Sequence, residues 1–122
     1  RLLQERFAEA AADLDAALAA DPDDAVAATH RARLLAAAPV AELRDGARAR
    51  SLADHARKLT KDAEPHALAA LAAAEAELGR FEAAVTLQTK ALDLLHDPDA
   101  IARARSRLDL YKRNEPLRDP TP

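Results

Sequence analysis

Cysteine, methionine and tryptophan are absent from these 122 residues, and glycine occurs only twice, as Gly46 and Gly79. Without cysteine there is no disulfide framework, no thiolate zinc site and no thiol nucleophile. The two glycines stand apart from each other, so no glycine-rich phosphate loop can form, and neither nucleotide nor other cofactor is expected. Phe7, Phe81 and Tyr111 are the only aromatics. No set of stacking rings therefore accompanies the arginines, and no nucleic-acid partner is expected. No apolar run approaches the roughly 18 residues that a spanning helix needs, and no signal-peptide pattern opens the chain, so no membrane partner is expected. A β-sandwich or barrel would need more β-branched residues and more turns.

What remains is a chain of alanine and leucine with intrinsic preference for helix, long enough for one domain. Alanines at inward positions let helices approach closely but bury little apolar area each, which predicts a thin, layered core. The formal net charge of −3 hides alternating blocks. Residues 1–24 carry two basic and seven acidic groups, 25–61 eight and three, 62–98 two and seven, and 99–122 six and four. Such alternation draws neighbouring layers together, at about 0–1 kcal/mol per exposed pair.

Prolines and acidic turns divide the chain into helices. The first is predicted over residues 2–20, with Phe7, Ala10, Leu14, Ala17 and Leu18 on one face. The turn Asp21-Pro22-Asp23-Asp24 stops it, and Asp24 can cap a second helix over 25–38. Pro39 ends that one. After a connector, Asp45 can cap a third helix reaching Leu59. Pro65 suits the first turn of a fourth, and Gly79 its left-handed exit. Residues 80–96 form a fifth. Beyond Asp97-Pro98-Asp99, a sixth places Ile101, Ala104, Leu108 and Tyr111 on one face. Residues 114–122, with three prolines, are expected to be an extended tail.

The segment from Pro65 to Pro98 carries Leu68-x-x-Leu71-Ala72, Gly79-x-Phe81, Ala84-Val85, Ala91-Leu92 and Asp97-Pro98. It resembles one full tetratricopeptide repeat, a helical hairpin of about 34 residues. Glu75 and Gln88 stand where that family has larger or aromatic residues. Residues 25–61 resemble a repeat with an insertion in its turn, since Ala49 and Ala56 lie 35 residues before Ala84 and Ala91. Phe7, Ala10, Ala17-Leu18 and Asp21-Pro22 resemble the second half of another, and residues 1–22 are read as that half. Residues 99–113 close the array. The stretches Leu43-Arg44-Asp45-Gly46-Ala47 and 110–116 resemble a bacterial variant found near the C-terminal end of larger proteins. The resemblance implies an all-α fold, a right-handed α-solenoid of antiparallel helix hairpins with about two and a half repeats plus a capping helix, over residues 1–113.

No convergent catalytic set emerges. His30, His55, His66 and His96 form no ligand pair at metal-binding spacing, although His30 and His55 fall on the two helices of one hairpin and could meet. His96 is placed near a helix C-terminus, where the dipole favours its cation. Ser51 and His55 are one turn apart, but Asp54 points away from both. Arg103 and Arg107 are also one turn apart and could receive a carboxylate, with Asp99 an alternative partner for Arg103. In the tetratricopeptide arrangement these two arginines face a concave groove with Val26, Thr29 and Arg33 of the second helix and His66, Ala69 and Ala73 of the fourth. A mildly basic groove suits an acidic or C-terminal peptide. The lysine and asparagine set with which chaperone-binding relatives clamp a terminal carboxylate is missing.

The expected function is accordingly a non-catalytic one, protein–protein interaction or assembly. The start at Arg1, without methionine, suggests a piece of a longer protein. The alternatives are an accessory domain of an enzyme or cytochrome-like protein, or self-association through the first helix, which lacks its hairpin partner. Abundant alanine and arginine suggest a GC-rich bacterial genome. Nothing in the composition indicates a compartment.

Overall fold

A computed structural model describes residues 2–122. It is all-helical, with no strand among the described residues. Its helices are α1 (Leu2–Ala20), α2 (Ala25–Ala37), α3 (Gly46–Leu59), α4 (Pro65–Glu77), α5 (Phe81–Asp93) and α6 (Pro98–Lys112), with a short 3-10 turn at Ala41–Leu43. None of them is long and apolar enough to cross a membrane.

Acidic caps start four of the helices, because the first amides of a helix have no partner within it. Asp24 accepts from the amide of Ala27, Asp45 from Arg48, Glu64 from His66 and Asp97 from Ala100. Pro65 and Pro98 occupy first-turn positions. Gly79 leaves α4 with φ 79°, which costs glycine nothing. At the α3–α4 turn the same left-handed region is taken by two side-chain-bearing residues, Lys61 and Asp62, at φ 55° and 58°. Their strain is offset by closure of the turn: the Asp62 amide donates to Arg57 O, and the Asp62 carboxylate pairs with the Arg57 guanidinium at 3.2 Å.

The fifth helix is shorter than the expected 80–96 and stops at Asp93, leaving His96 outside it on an exposed turn. A proline disfavours helical backbone at the residue before it. Asp97 is extended at φ −72°, ψ 126°, where it also caps α6, so the chain leaves α5 early.

The buried clusters define how the helices run. Ala28 early in α2 meets Ala56 late in α3 and Ala67 early in α4. Leu35 and Ala36 late in α2 meet Ala49 early in α3 and Ala72–Ala74 of α4. Hence α3 is antiparallel to both α2 and α4, and α2 and α4 lie against each other in the same direction. Phe81 and Ala84 early in α5 pack with Ala74 and Ala76 late in α4 and with Tyr111 late in α6, which continues the alternation. On the other flank, Phe7 of α1 is only 1% exposed and packs on Leu34 and Ala38.

Three polar side chains are buried among the described residues of this alanine-rich interior: Arg31, 8% exposed and paired with Asp15 of α1 at 2.9 Å, Glu75 and Gln88. Glu75, 7% exposed, is reached by Arg50 at 2.8 Å and Arg80 at 3.4 Å. Gln88, 1% exposed, donates to the carbonyl of Ala104 and thereby ties α5 to α6, while its Oε1 has no partner among the described residues.

Residues 115–122 carry no regular secondary structure, but they are packed. Leu117 is 7% exposed and belongs to the same buried cluster as Leu35, Ala73 and Tyr111. The packed body therefore reaches past residue 113 into the proline-rich segment. Burying one leucine stabilises by about 2 kcal/mol, which favours docking over a solvated tail.

Candidate functional site

Parallel α2 and α4 leave a furrow between them with a volume of about 460 Å³. Its walls follow from helical periodicity, since residues spaced three and four apart share a face. Val26, Thr29, His30 and Arg33 line it from α2, and His66, Ala69, Ala70 and Ala73, each forty positions later, line it from α4. Ala25, Thr60 and Glu64 border one end, and Arg107 of α6 and Leu117 of the tail border the other.

Of the sequence-derived groove residues, the structure brings Thr29, Arg33, His66, Ala69, Ala73 and Arg107 to this one furrow. Arg103 is not among them. It is exposed and makes no ion pair among the described residues, with Asp99 or any other acid. Arg103 precedes Arg107 by one turn, about 6 Å along the helix axis, and the furrow meets α6 only at the level of Arg107.

The charged end of the furrow is built by three separate elements. The Asp119 carboxylate is held by Arg33 of α2 at 3.0 Å and Arg107 of α6 at 3.3 Å. Arg33 also donates to the carbonyl of Thr121 at 2.9 Å, and the Asp119 amide donates to Ala37 O at 2.8 Å. Ala37 ends α2, where carbonyls lack partners within the helix, so the tail satisfies an otherwise unpaired acceptor. Burial pulls the Asp119 carboxyl upward, but the Thr121 amide and the two guanidiniums outweigh it and hold the group below the usual aspartate value. Docking of this segment is the feature that sequence reasoning missed. Its signals were Leu117 and Asp119, one apolar and one acidic residue two apart in an extended stretch.

At the far end, Glu64 accepts from the backbone amide of His66 and from its ring Nδ1 at 2.7 Å. The amide bond above all, and then the ring, hold the Glu64 carboxyl low. Burial and nearby Arg33 lower the pKa of His30, favouring its neutral form. The furrow thus has small, mainly uncharged walls, a double-arginine clamp at one end and a single acid at the other.

The remaining chemical candidates lie apart. His55 bonds Asp23 at 3.0 Å, and no hydrogen bond joins it to His30 among the described residues. Asp54 is engaged by Arg57 and Lys58, away from His55, and Ser51 is exposed. No group of three histidines, aspartates or glutamates among the described residues is placed to hold a metal ion.

Paired arginines recur elsewhere. Asp15 of α1 is held by Arg31 and Arg48, Glu75 by Arg50 and Arg80, and Glu77 by Arg44 and Arg118. Each of these clasps joins separate elements, and among the described residues only the arginines that hold Asp119 line the furrow.

Compared with family models, curated proteins and solved structures, the chain matches none.

Proposed function

We propose that this chain is a non-catalytic protein-interaction module, a tetratricopeptide-like right-handed stack whose furrow between α2 and α4 receives an acidic peptide segment. The observation that carries the reading is the convergence of Arg33 and Arg107, from different helices, on one carboxylate at the end of a small-walled furrow. Paired guanidiniums favour a carboxylate over a neutral group and fix its position. The antiparallel succession of helices, with α2 alongside α4, supports the stacked-hairpin arrangement. So do the left-handed Gly79 and the fully buried Ala84 and Ala91 at the helix crossings.

Self-association through α1 is favoured less. Its large side chains Phe7, Leu14 and Leu18 already pack inward, leaving mainly alanines, acids and the terminal Leu2 and Leu3 outside.

The test is an array of immobilised extended peptides of varied charge, probed with the full chain and with Arg33→Glu/Arg107→Glu. Acidic peptides should retain the chain and lose it on charge reversal. Retention that ignores peptide charge, or survives the double reversal, would remove the basis for this reading.

A further inference from the structure

Resting on that reading, we infer that the furrow's partner is an extended segment with an apolar side chain two residues before a carboxylate, and that residues 117–121 of this chain are a built-in stand-in which the partner displaces.

The tail has the form of a bound peptide. Its exposure alternates over residues 117–120, with Leu117 buried, Arg118 exposed, Asp119 partly buried and Pro120 exposed, before Thr121, which is exposed as well. That is the two-residue period of an extended strand laid on a surface. One backbone hydrogen bond, from the Asp119 amide to Ala37 O, joins residues 117–121 to the helices; the other polar attachments use side chains. Pro116, Pro120 and Pro122 restrict the free segment before it docks, which lowers the entropy lost on docking.

The segment can leave without unravelling the fold. Asn114 takes a left-handed conformation at φ 59°, and the amides of Asn114 and Glu115 close back on Tyr111 O and Leu110 O. These bonds complete the end of α6 before the strap begins, so the hinge lies between a finished helix and Pro116.

The strap also leaves most of the furrow open. Leu117 borders the cavity only at the Arg107 end, while the walls from Ala25 to Ala70 stay uncovered. A partner repeating the Leu-x-Asp contact and continuing along α2 and α4 makes the strap's contacts plus those of the open length. Because the strap competes from within the same chain, the affinity seen in trans is reduced by the fraction of time the furrow is vacant.

The test uses the full chain and a labelled, end-blocked synthetic peptide of residues 115–122, followed by fluorescence anisotropy. The released variant Leu117→Ser/Asp119→Ser should bind this peptide roughly tenfold or more tightly than the unmodified chain does. Adding Arg33→Ala should abolish the gain. Equal affinity for both chains would overturn the stand-in while leaving an acid-binding furrow intact. Failure of a folded released variant to bind the peptide would overturn both readings. Should the variant not fold, hydrogen exchange on the unmodified chain decides: the Asp119 amide should exchange far faster than the helical amide of Ala53, and equal protection of the two would overturn displacement.

Discussion

Arg33 spans two acceptors of the tail, Asp119 and Thr121, whereas Arg103 reaches none. Two arginines of similar sequence context therefore differ in what they hold. Arg33→Ala should cost about 1–2 kcal/mol in urea unfolding, less than a fully buried charged bond because the site is partly solvated. Arg103→Ala should stay within about 0.5 kcal/mol of the parent. The interior makes a second prediction at this scale. Burial pushes the Tyr111 hydroxyl well above its ordinary pKa, so it stays protonated, and its oxygen has no hydrogen-bond partner among the described residues. Tyr111→Phe should therefore leave stability unchanged or raise it by up to about 1 kcal/mol, since no bond is lost and no polar atom need be desolvated. A loss larger than that in a denaturant melt would mean the hydroxyl is bonded. Phe7→Ala, by contrast, removes the largest side chain between α1 and α2 and should cost about 3–5 kcal/mol.

At the scale of elements, the helix starts are readable because each rests on a local rule acting over three or four residues. Asp45→Ala removes one such cap and should cost about 1 kcal/mol, visible as a lower urea midpoint at constant slope. The end of α5 is less readable, since residues 94–96 carry no breaker of their own and the chain exits to satisfy Asp97 and Pro98 downstream. The α3–α4 turn was readable as a break but not as a strained one. Lys61 has no ion pair there among the described residues, so Lys61→Gly should relieve the left-handed backbone and raise the melting temperature by a few degrees. A fall in melting temperature would show that the turn's conformation is set by Lys61 itself.

Across the whole molecule, the acidic and basic blocks meet as arginine clasps on carboxylates. Asp15, Asp54, Glu64 and Asp119 all titrate below their ordinary values: burial opposes the shift at each, but bonds from arginine, lysine or backbone amides outweigh it. A carboxyl whose folded pKa is depressed contributes stability above its unfolded value, near pH 4, and loses it as pH falls through the folded value. His30 acts in the same direction. Its folded pKa is lowered, so below its unfolded value of about 6.5 the unfolded chain takes up the proton more readily. Urea midpoints should thus fall slightly from pH 7 to 5 and steeply below 4. A midpoint that rises on acidification would contradict the clasps.

What the sequence by itself determined is what acts locally or periodically: helix, the breaks between helices, the inward alanines and the stripes that become the walls of the furrow. Thr29 and Arg33, or Ala69 and Ala73, share a face by helical geometry alone. Only the tertiary structure decided that Arg107 joins them while Arg103 does not, because that depends on where α6 crosses the end of the furrow. It also decided the place of the tail. Asp119 and Arg33 are 86 positions apart, and an extended, proline-rich segment has neither helical periodicity nor a strand partner to announce its docking. Its position is set by a carboxylate meeting two guanidiniums and a leucine filling the gap beside Ala73, contacts that exist only once the helices have packed.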